Sequence, residues 1–341
     1  APLVGALSDR YGRRPVLLFS LLGFGLDYLV LAFAPPLAWL FVARVVSGIF
    51  GASFTTGFAY IADVSPPEKR AQNFGLVGAA FGLGFIIGPV TGGLLGEIGP
   101  RVPFFVAAAL TFLNMAYGYF VLPESLPADR RRAFEWKRAN PLGTLVALKR
   151  YPRVVGLIGS LVFLYIASHA VQGTWSYFTI EKFNWSPKDI GLSLGAVGIL
   201  SAFVQGFLIR KAIPALGPWR TLIVGMICNV VGLILFALVQ QQWMLYAFLV
   251  PYAFGGLAGP ALQGLLSNGV PENEQGELQG AMSSMMSATS IVGPPLMTTI
   301  FATFTEAGAP VYFPGAPFVA GALLSATSLV LILGQYRKSK L

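Results

Sequence analysis

The chain has 341 residues, of which 11% are charged and 55% hydrophobic, and its mean hydropathy is +0.70. A soluble domain carries about 25% charged residues to keep its surface in water, so this composition excludes an ordinary soluble protein and implies an outside that faces lipid. The net charge of +9 sits in connectors between apolar segments, which argues against a nucleic-acid partner, and the single cysteine, Cys228, excludes an intrachain disulfide or Cys-rich metal site.

A membrane-spanning helix needs about 20 mostly apolar residues. Ten segments meet that need, at 16–34, 38–62, 75–96, 103–122, 154–180, 190–209, 221–240, 243–266, 279–304 and 316–334. The connectors are short, except for a strongly basic one at 123–153. The chain therefore reads as an all-α polytopic membrane protein, with a first bundle over 1–122, a linker over 123–153 and a six-helix bundle over 154–341. Alternate connectors carry Arg10/Arg13/Arg14, Lys69/Arg70, the 123–153 run, Arg210/Lys211/Arg220 and Arg337/Lys338/Lys340. The opposite connectors hold only Arg101, Lys182 and Lys188. This bias assigns the first set, with the C-terminus, to the cytoplasm.

The halves are related by a repeat. At one offset of 205 residues, Gly12 falls on Gly217, Gly51 on Gly256, Asp63 on Asn268, Gly75 on Gly280, and Gly88-Pro89 on Gly293-Pro294. Such repeats mark transporters built from two pseudo-symmetric bundles around a central site. Aligned on the second half, the first half is expected to continue about fifty residues before Ala1. The ten segments are then the third to twelfth of twelve, with helix 1 and most of helix 2 lying upstream, and the 341 residues alone are not expected to transport.

The residues that carry chemistry follow in chain order. Gly5 to Pro15 is a highly charged turn in which Asp9, Arg10, Gly12, Arg13 and Arg14 stand together. Arg13 and Arg14 are placed to bridge to Asp63, and Arg70 joins them as a cytoplasmic gate. Asp9 suits a helix N-terminus and is expected beside residues 275–280. Asp27 is the one carboxylate well inside a segment. It lies about 16 Å up from the cytoplasmic end, and Arg44 about 20 Å up, in a core of roughly 30 Å. Intramembrane ionisable groups point to function, so Asp27 and Arg44 are assigned to proton coupling; the alternative is an ion pair that only fixes two helices.

Gly75, Gly84, Gly88, Pro89, Gly92 and Gly93 give the third segment a smooth groove and a bend; the alternative is generic small-residue packing. A counterpart row at Gly276, Gly280, Ser284 and Ala288 is expected to pack against it. Gln172, Trp175, Ser201, Gln205, Asn229 and Gln263 are candidate cavity side chains, whereas His169 reads as a hydrogen-bonded packing residue, with a proton carrier as the alternative. No Walker motif, metal-ligand cluster or nucleophile–base arrangement occurs, so no enzyme, cofactor or bound metal is expected.

The 5–15 turn resembles the signature loop between helices two and three of the major facilitator superfamily, and Leu40 to Ala52 resembles its fourth-helix signature. Gly75 to Gly93 resembles the fifth-helix motif of the superfamily's drug:proton antiporters. With Asp27-Tyr28, Phe104-Phe105, Phe183-Asn184-Trp185, Pro260 to Gly264 and Gln275 to Gly280, the chain is similar to the tetracycline efflux proteins along nearly all of its length. The resemblance implies the superfamily fold and proton-coupled efflux of a drug-like amphiphile across a bacterial inner membrane; in that family the substrate is a magnesium–tetracycline chelate. Where the family can carry a histidine and an aspartate in its second half, this chain has Ser201 and Asn229. The lipid bilayer, the small molecule and protons are the implied partners. A sugar or metabolite symporter of the same fold is the second reading, against which the Gly84–Gly93 spacing weighs. A non-transporting fragment or receptor-like bundle is the third.

Overall fold

The computed structural model describes residues 2–33, 37–51, 53–66, 69–131, 152–270, 275–309 and 311–340. Those residues are helical with short turns and contain no strand. Most of the expected 123–153 linker lies outside the described residues. The chain divides into two compact units, Ala1–Asn140 and Pro141–Leu341.

The first unit is built around α2. Its helices are α1 (Pro2–Tyr11), α2 (Arg13–Phe33), α3 (Leu37–Gly51), α4 (Ser53–Val64), α5 (Arg70–Ile98) and α6 (Val102–Val121). α2 packs against α1, α3, α4 and α6, burying Ser20, Gly23, Gly25, Asp27, Leu31 and Ala32. Two glycines set how closely its neighbours approach. A Cβ at Gly23 would overlap the Phe50 ring of α3, and one at Gly25 would lie 2.5 Å from the Phe112 ring of α6. The missing side chains are thus replaced by aromatic rings from either flank, and dispersion contacts of that density hold an apolar bundle together where no hydrophobic effect acts between lipid-bathed helices. α5 is different: it touches α4 and α6 but exposes most of its apolar length.

The second unit contains α7 (Pro152–Phe183), α8 (Pro187–Phe203), a π turn (Val204–Leu208), α9 (Ile209–Leu238), α10 (Gln242–Phe254), a 3₁₀ turn (Gly255–Leu257), α11 (Ala258–Ser267), α12 (Gln275–Thr303) and α13 (Ala316–Lys340). α7 packs against both α12 and α13, and α9 packs against α10, α11 and α13. Ser186 caps α8 reciprocally with Asp189, and Pro187 opens it at a position that needs no N–H. The core is aromatic at one level, where Trp175, Phe178, Phe236 and Phe318 meet edge to face, and aliphatic at another, around Leu222, Met226, Leu262 and Leu266.

Among the described residues eight helices are long and apolar enough to cross a membrane, where the sequence led to an expectation of ten. Two features account for the difference. The expected segments 190–209 and 221–240 lie in one stretch of 52 residues, Pro187–Leu238, which turns at Gly217. Gly217 has φ +77°, a left-handed conformation that a side chain would strain. The expected 38–62 segment is divided between α3 and α4, and its apolar stretch Ala38–Gly48 is short.

Candidate functional site

The α1–α2 turn is a charge cluster organised by Arg13. α1 ends where the Gly12 N–H donates to the Ser8 carbonyl at 3.1 Å, and Gly12 takes φ +100° to start α2 in a new direction. Arg13 is 9% exposed, so its guanidinium needs partners on every side. It finds Asp9 Oδ1 at 2.6 Å and Ser8 Oγ at 2.6 Å through Nη1, and Asp63 Oδ2 at 3.2 Å through Nε. Ser125 Oγ donates to the same Asp63 oxygen at 3.2 Å. Arg14 turns the other way, donating to the Tyr119 carbonyl and lying 5.3 Å above the Tyr119 ring. Arg10 is exposed and stacks on Tyr11. Of Arg70 and Gly75 only the helical backbone on α5 is described.

Glu124 completes the cluster and escaped the sequence analysis. Its carboxylate accepts the backbone N–H groups of Arg13 at 2.9 Å and Arg14 at 3.3 Å, and that of Leu126 at 3.0 Å. The first N–H groups of a helix have no partner within it and carry partial positive charge, so a carboxylate there satisfies donors and dipole together. A signal was present: Pro123-Glu124-Ser125 sets an acid directly after an apolar segment, at the head of a connector that is basic overall.

Asp27 lies in the middle of α2 and is 5% exposed, with Oδ1 free of any hydrogen bond. The groups that act on it come from α3, Arg44 through its charge and the Ser47 hydroxyl. Asp27 and Arg44 are not within the 4.0 Å of an ion pair; Arg44 is exposed and acts from a distance. Ser47 was not singled out from the sequence, although one turn after Arg44 it shares that helix face.

On α5, a Cβ added at Gly84, Gly88 or Gly92 would meet no atom within 4 Å, so the groove is open. Gly93 is buried and Pro89 lies inside the helix.

The candidate cavity residues of the second unit separate into two groups. Trp175 is 2% exposed, donates to Ser193 Oγ at 2.9 Å and belongs to the aromatic core. Its indole is therefore satisfied inside the bundle. Gln205 and Asn229 instead flank the turn at Gly255-Gly256: a Cβ at Gly256 would lie 3.8 Å from Gln205 Nε2, and one at Gly255 would lie 2.9 Å from the Asn229 Cβ. Gln205 stands in the π turn, and Asn229 Oδ1 accepts from Ser325 Oγ at 2.8 Å. Ser201 is half-buried one turn before Gln205, whereas Gln172 and Gln263 are exposed on α7 and α11. Among the described residues no three His, Cys, Asp or Glu side chains gather to hold a metal ion.

The Major Facilitator Superfamily profile matches residues 1–294 and 215–339. The chain is similar to the class C tetracycline resistance protein of Escherichia coli, 41% identical over 89% of this chain and 76% of that protein. It is also similar to the class G tetracycline resistance protein of Vibrio anguillarum, 37% identical over 95% of this chain and 81% of the relative. Among solved structures, a mutant of the nucleoside transporter NupG superposes with a TM-score of 0.78 at 14% identity, covering 98% of this chain and 88% of that one.

Proposed function

The chain belongs to the Major Facilitator Superfamily, a family of transporters rather than enzymes, and from that premise we propose that it exchanges protons for a drug-like amphiphile, exporting the drug as protons flow inward. The tetracycline resistance proteins among its relatives support this class and make a tetracycline, carried as its magnesium chelate, the first substrate to test.

The observation that carries the reading is Asp27. A carboxyl buried in a spanning helix is costly when ionised and unpaired. Here a free Oδ1, a distant guanidinium and one hydroxyl surround it, an environment with room for either protonation state. Such a group can take a proton on one side of the membrane and release it on the other. Arg44 and Ser47 then tune the release.

The rest of the protein has roles around that step. In a bacterial inner membrane, with the Lys/Arg-rich connectors and the C-terminus in the cytoplasm, the Asp9–Arg13–Asp63 cluster with Glu124 forms a gate whose charge pairs are made and broken as the transporter changes face. The open groove at Gly84, Gly88 and Gly92 gives a neighbouring helix a track. Gln205 and Asn229, with Ser201, Gln172 and Gln263, offer hydrogen bonds to the substrate, and Trp175 supports them from behind. The 52-residue stretch counts as two spans about Gly217 and α3–α4 as one, giving ten.

Everted membrane vesicles carrying the full-length protein test the reading. With an imposed pH gradient they should accumulate tetracycline, and collapse of the gradient should release it. Asp27→Asn should abolish gradient-driven accumulation with normal membrane insertion. Undiminished accumulation by that variant refutes the assignment of the proton to Asp27.

A further inference from the structure

α7 and α12 meet at a notch. A Cβ built at Gly293 would overlap His169 Cδ2 and stand 2.7 Å from Cγ and 3.0 Å from Cβ, so the imidazole occupies the space a side chain at 293 would need. One turn further along α7, a Cβ built at Gly173 would lie in ordinary contact, 3.8 Å from the Pro294 Cα. The two helices therefore approach at adjacent positions, His169 and Gly173 on one, Gly293 and Pro294 on the other.

That crossing coincides with the weakest point of the α12 backbone. Pro294 and Pro295 lie inside the helix, and each lacks the N–H that would bond four residues back. The carbonyls of Ser290 and Ile291 consequently have no helical donor, two in succession. A helix bends readily where its ladder is interrupted, and the angle it adopts is fixed by what packs there. His169 is what packs there. The ring is half-buried, and its Cδ2, Cγ and Cβ are the three atoms nearest to the place of a Gly293 side chain.

We propose that His169 is a positioning residue for transport: its ring, seated in the Gly293 notch, sets the bend of α12 at Pro294-Pro295 as the transporter passes between its states. The proposal rests on the exchange of drug for protons described above, and it assigns His169 neither proton nor substrate. On an adjacent face of α7, about 100° round the helix, Gly321 of α13 accommodates Ala170, with an added Cβ 2.9 Å from the Ala170 Cβ. α7 is thereby held closely by α13 as well as by α12, which leaves α12, with its broken ladder, as the element that yields.

The test is a size exchange in everted vesicles, reading maximal rate and KM separately. Gly293→Ala overpacks the notch and should lower the maximal rate by about tenfold or more, with KM unchanged within about threefold. His169→Ala added to Gly293→Ala moves the methyl group from one side of the contact to the other and should recover most of the rate. A residue that merely fills space far from the moving element would show no such split. An unchanged rate in Gly293→Ala, or a double variant no faster than the single, overturns the proposal. If Gly293→Ala fails to accumulate in the membrane, recovery of both amount and rate by the double variant supports it, and failure of that recovery overturns it. Thermal unfolding of the purified protein reads the notch without transport: Tm should fall in the single variant and return in the double. That return in a protein that exports no drug would refute the transport reading and leave the notch standing.

Discussion

Glu124 occupies the space that a side chain at Gly12 would need: a Cβ there would overlap Glu124 Oε2 and stand 3.0 Å from Arg131 Nη2. Because Gly12 also has φ +100°, two costs coincide at one residue. A left-handed conformation costs an L side chain roughly 1–2 kcal/mol, and displacing the carboxylate that caps α2 costs about 1 kcal/mol more. Gly12→Ala should therefore lower stability by roughly 2–3 kcal/mol, seen as a reduced Tm of the purified protein. Glu124→Gln keeps an acceptor at the helix start and should cost clearly less than Gly12→Ala. Equal losses would mean that the negative charge of Glu124, and not an acceptor alone, holds the turn, and no loss in either variant would mean that the carboxylate does not hold it.

Arg13 makes a second prediction. Its guanidinium reaches Asp9 and Ser8 from Nη1 and Asp63 from Nε, a fork that lysine cannot reproduce from one ammonium. Arg13→Lys keeps the charge and should still fold, since the capping of α2 by Glu124 uses the backbone of residue 13. The gate would lose one of its links, and the transport rate should fall roughly tenfold, the equivalent of one charge-assisted hydrogen bond. A rate within twofold of wild type, at about equal protein amounts, would show that charge alone is enough at this position.

A third prediction separates support from recognition. Trp175 donates to Ser193 inside an aromatic cluster, whereas Gln205 is exposed beside Gly256. Trp175→Phe removes one buried hydrogen bond and leaves Ser193 short of a partner, a loss of about 1–2 kcal/mol in stability, with substrate KM nearly unchanged. Gln205→Ala should do the reverse, raising KM several-fold with little effect on Tm. Substrate titration and thermal unfolding of both variants, measured side by side, decide between the two roles.

Much of this was legible in the sequence because lipid makes few demands and states them plainly. Apolar length located an all-helical membrane fold, though not its count of spans, and the charge in Gly5 to Pro15 located the Arg13 cluster together with its partner Asp63, fifty residues on. What escaped notice was local geometry. Glu124 looked like part of a basic connector because nothing in its spacing says that the chain after α6 returns to the start of α2. Trp175 read as a cavity side chain because a polar tip on a spanning helix looks the same whether its partner is a ligand or Ser193. The stretch Pro187–Leu238 is the opposite case: the basic connector Arg210/Lys211/Arg220 separates two segments in the sequence, and the backbone turns inside that connector, at Gly217. His169 reads as a hydrogen-bonded packing residue, and of that the structure shows the packing, at Gly293; that this packing meets a tandem-proline break is a fact of three dimensions.

The last prediction concerns the α5 groove. A Cβ at Gly84, Gly88 or Gly92 meets open space, so Gly88→Ala has no steric cost within the first unit. Alanine is also the better helix former by about 1 kcal/mol, and on stability alone the substitution should be neutral or favourable. Glycine rows at a spacing of four, however, let a second backbone come close, and a methyl group in that track would obstruct any helix that uses it during the transport cycle. The variant is therefore expected to keep or raise Tm while lowering the maximal rate of drug export several-fold. Stability and activity moving in opposite directions would be the mark of a surface reserved for motion. If Gly88→Ala and Gly92→Ala both transport at the wild-type rate, the row is ordinary lipid-facing helix and the groove has no part in export.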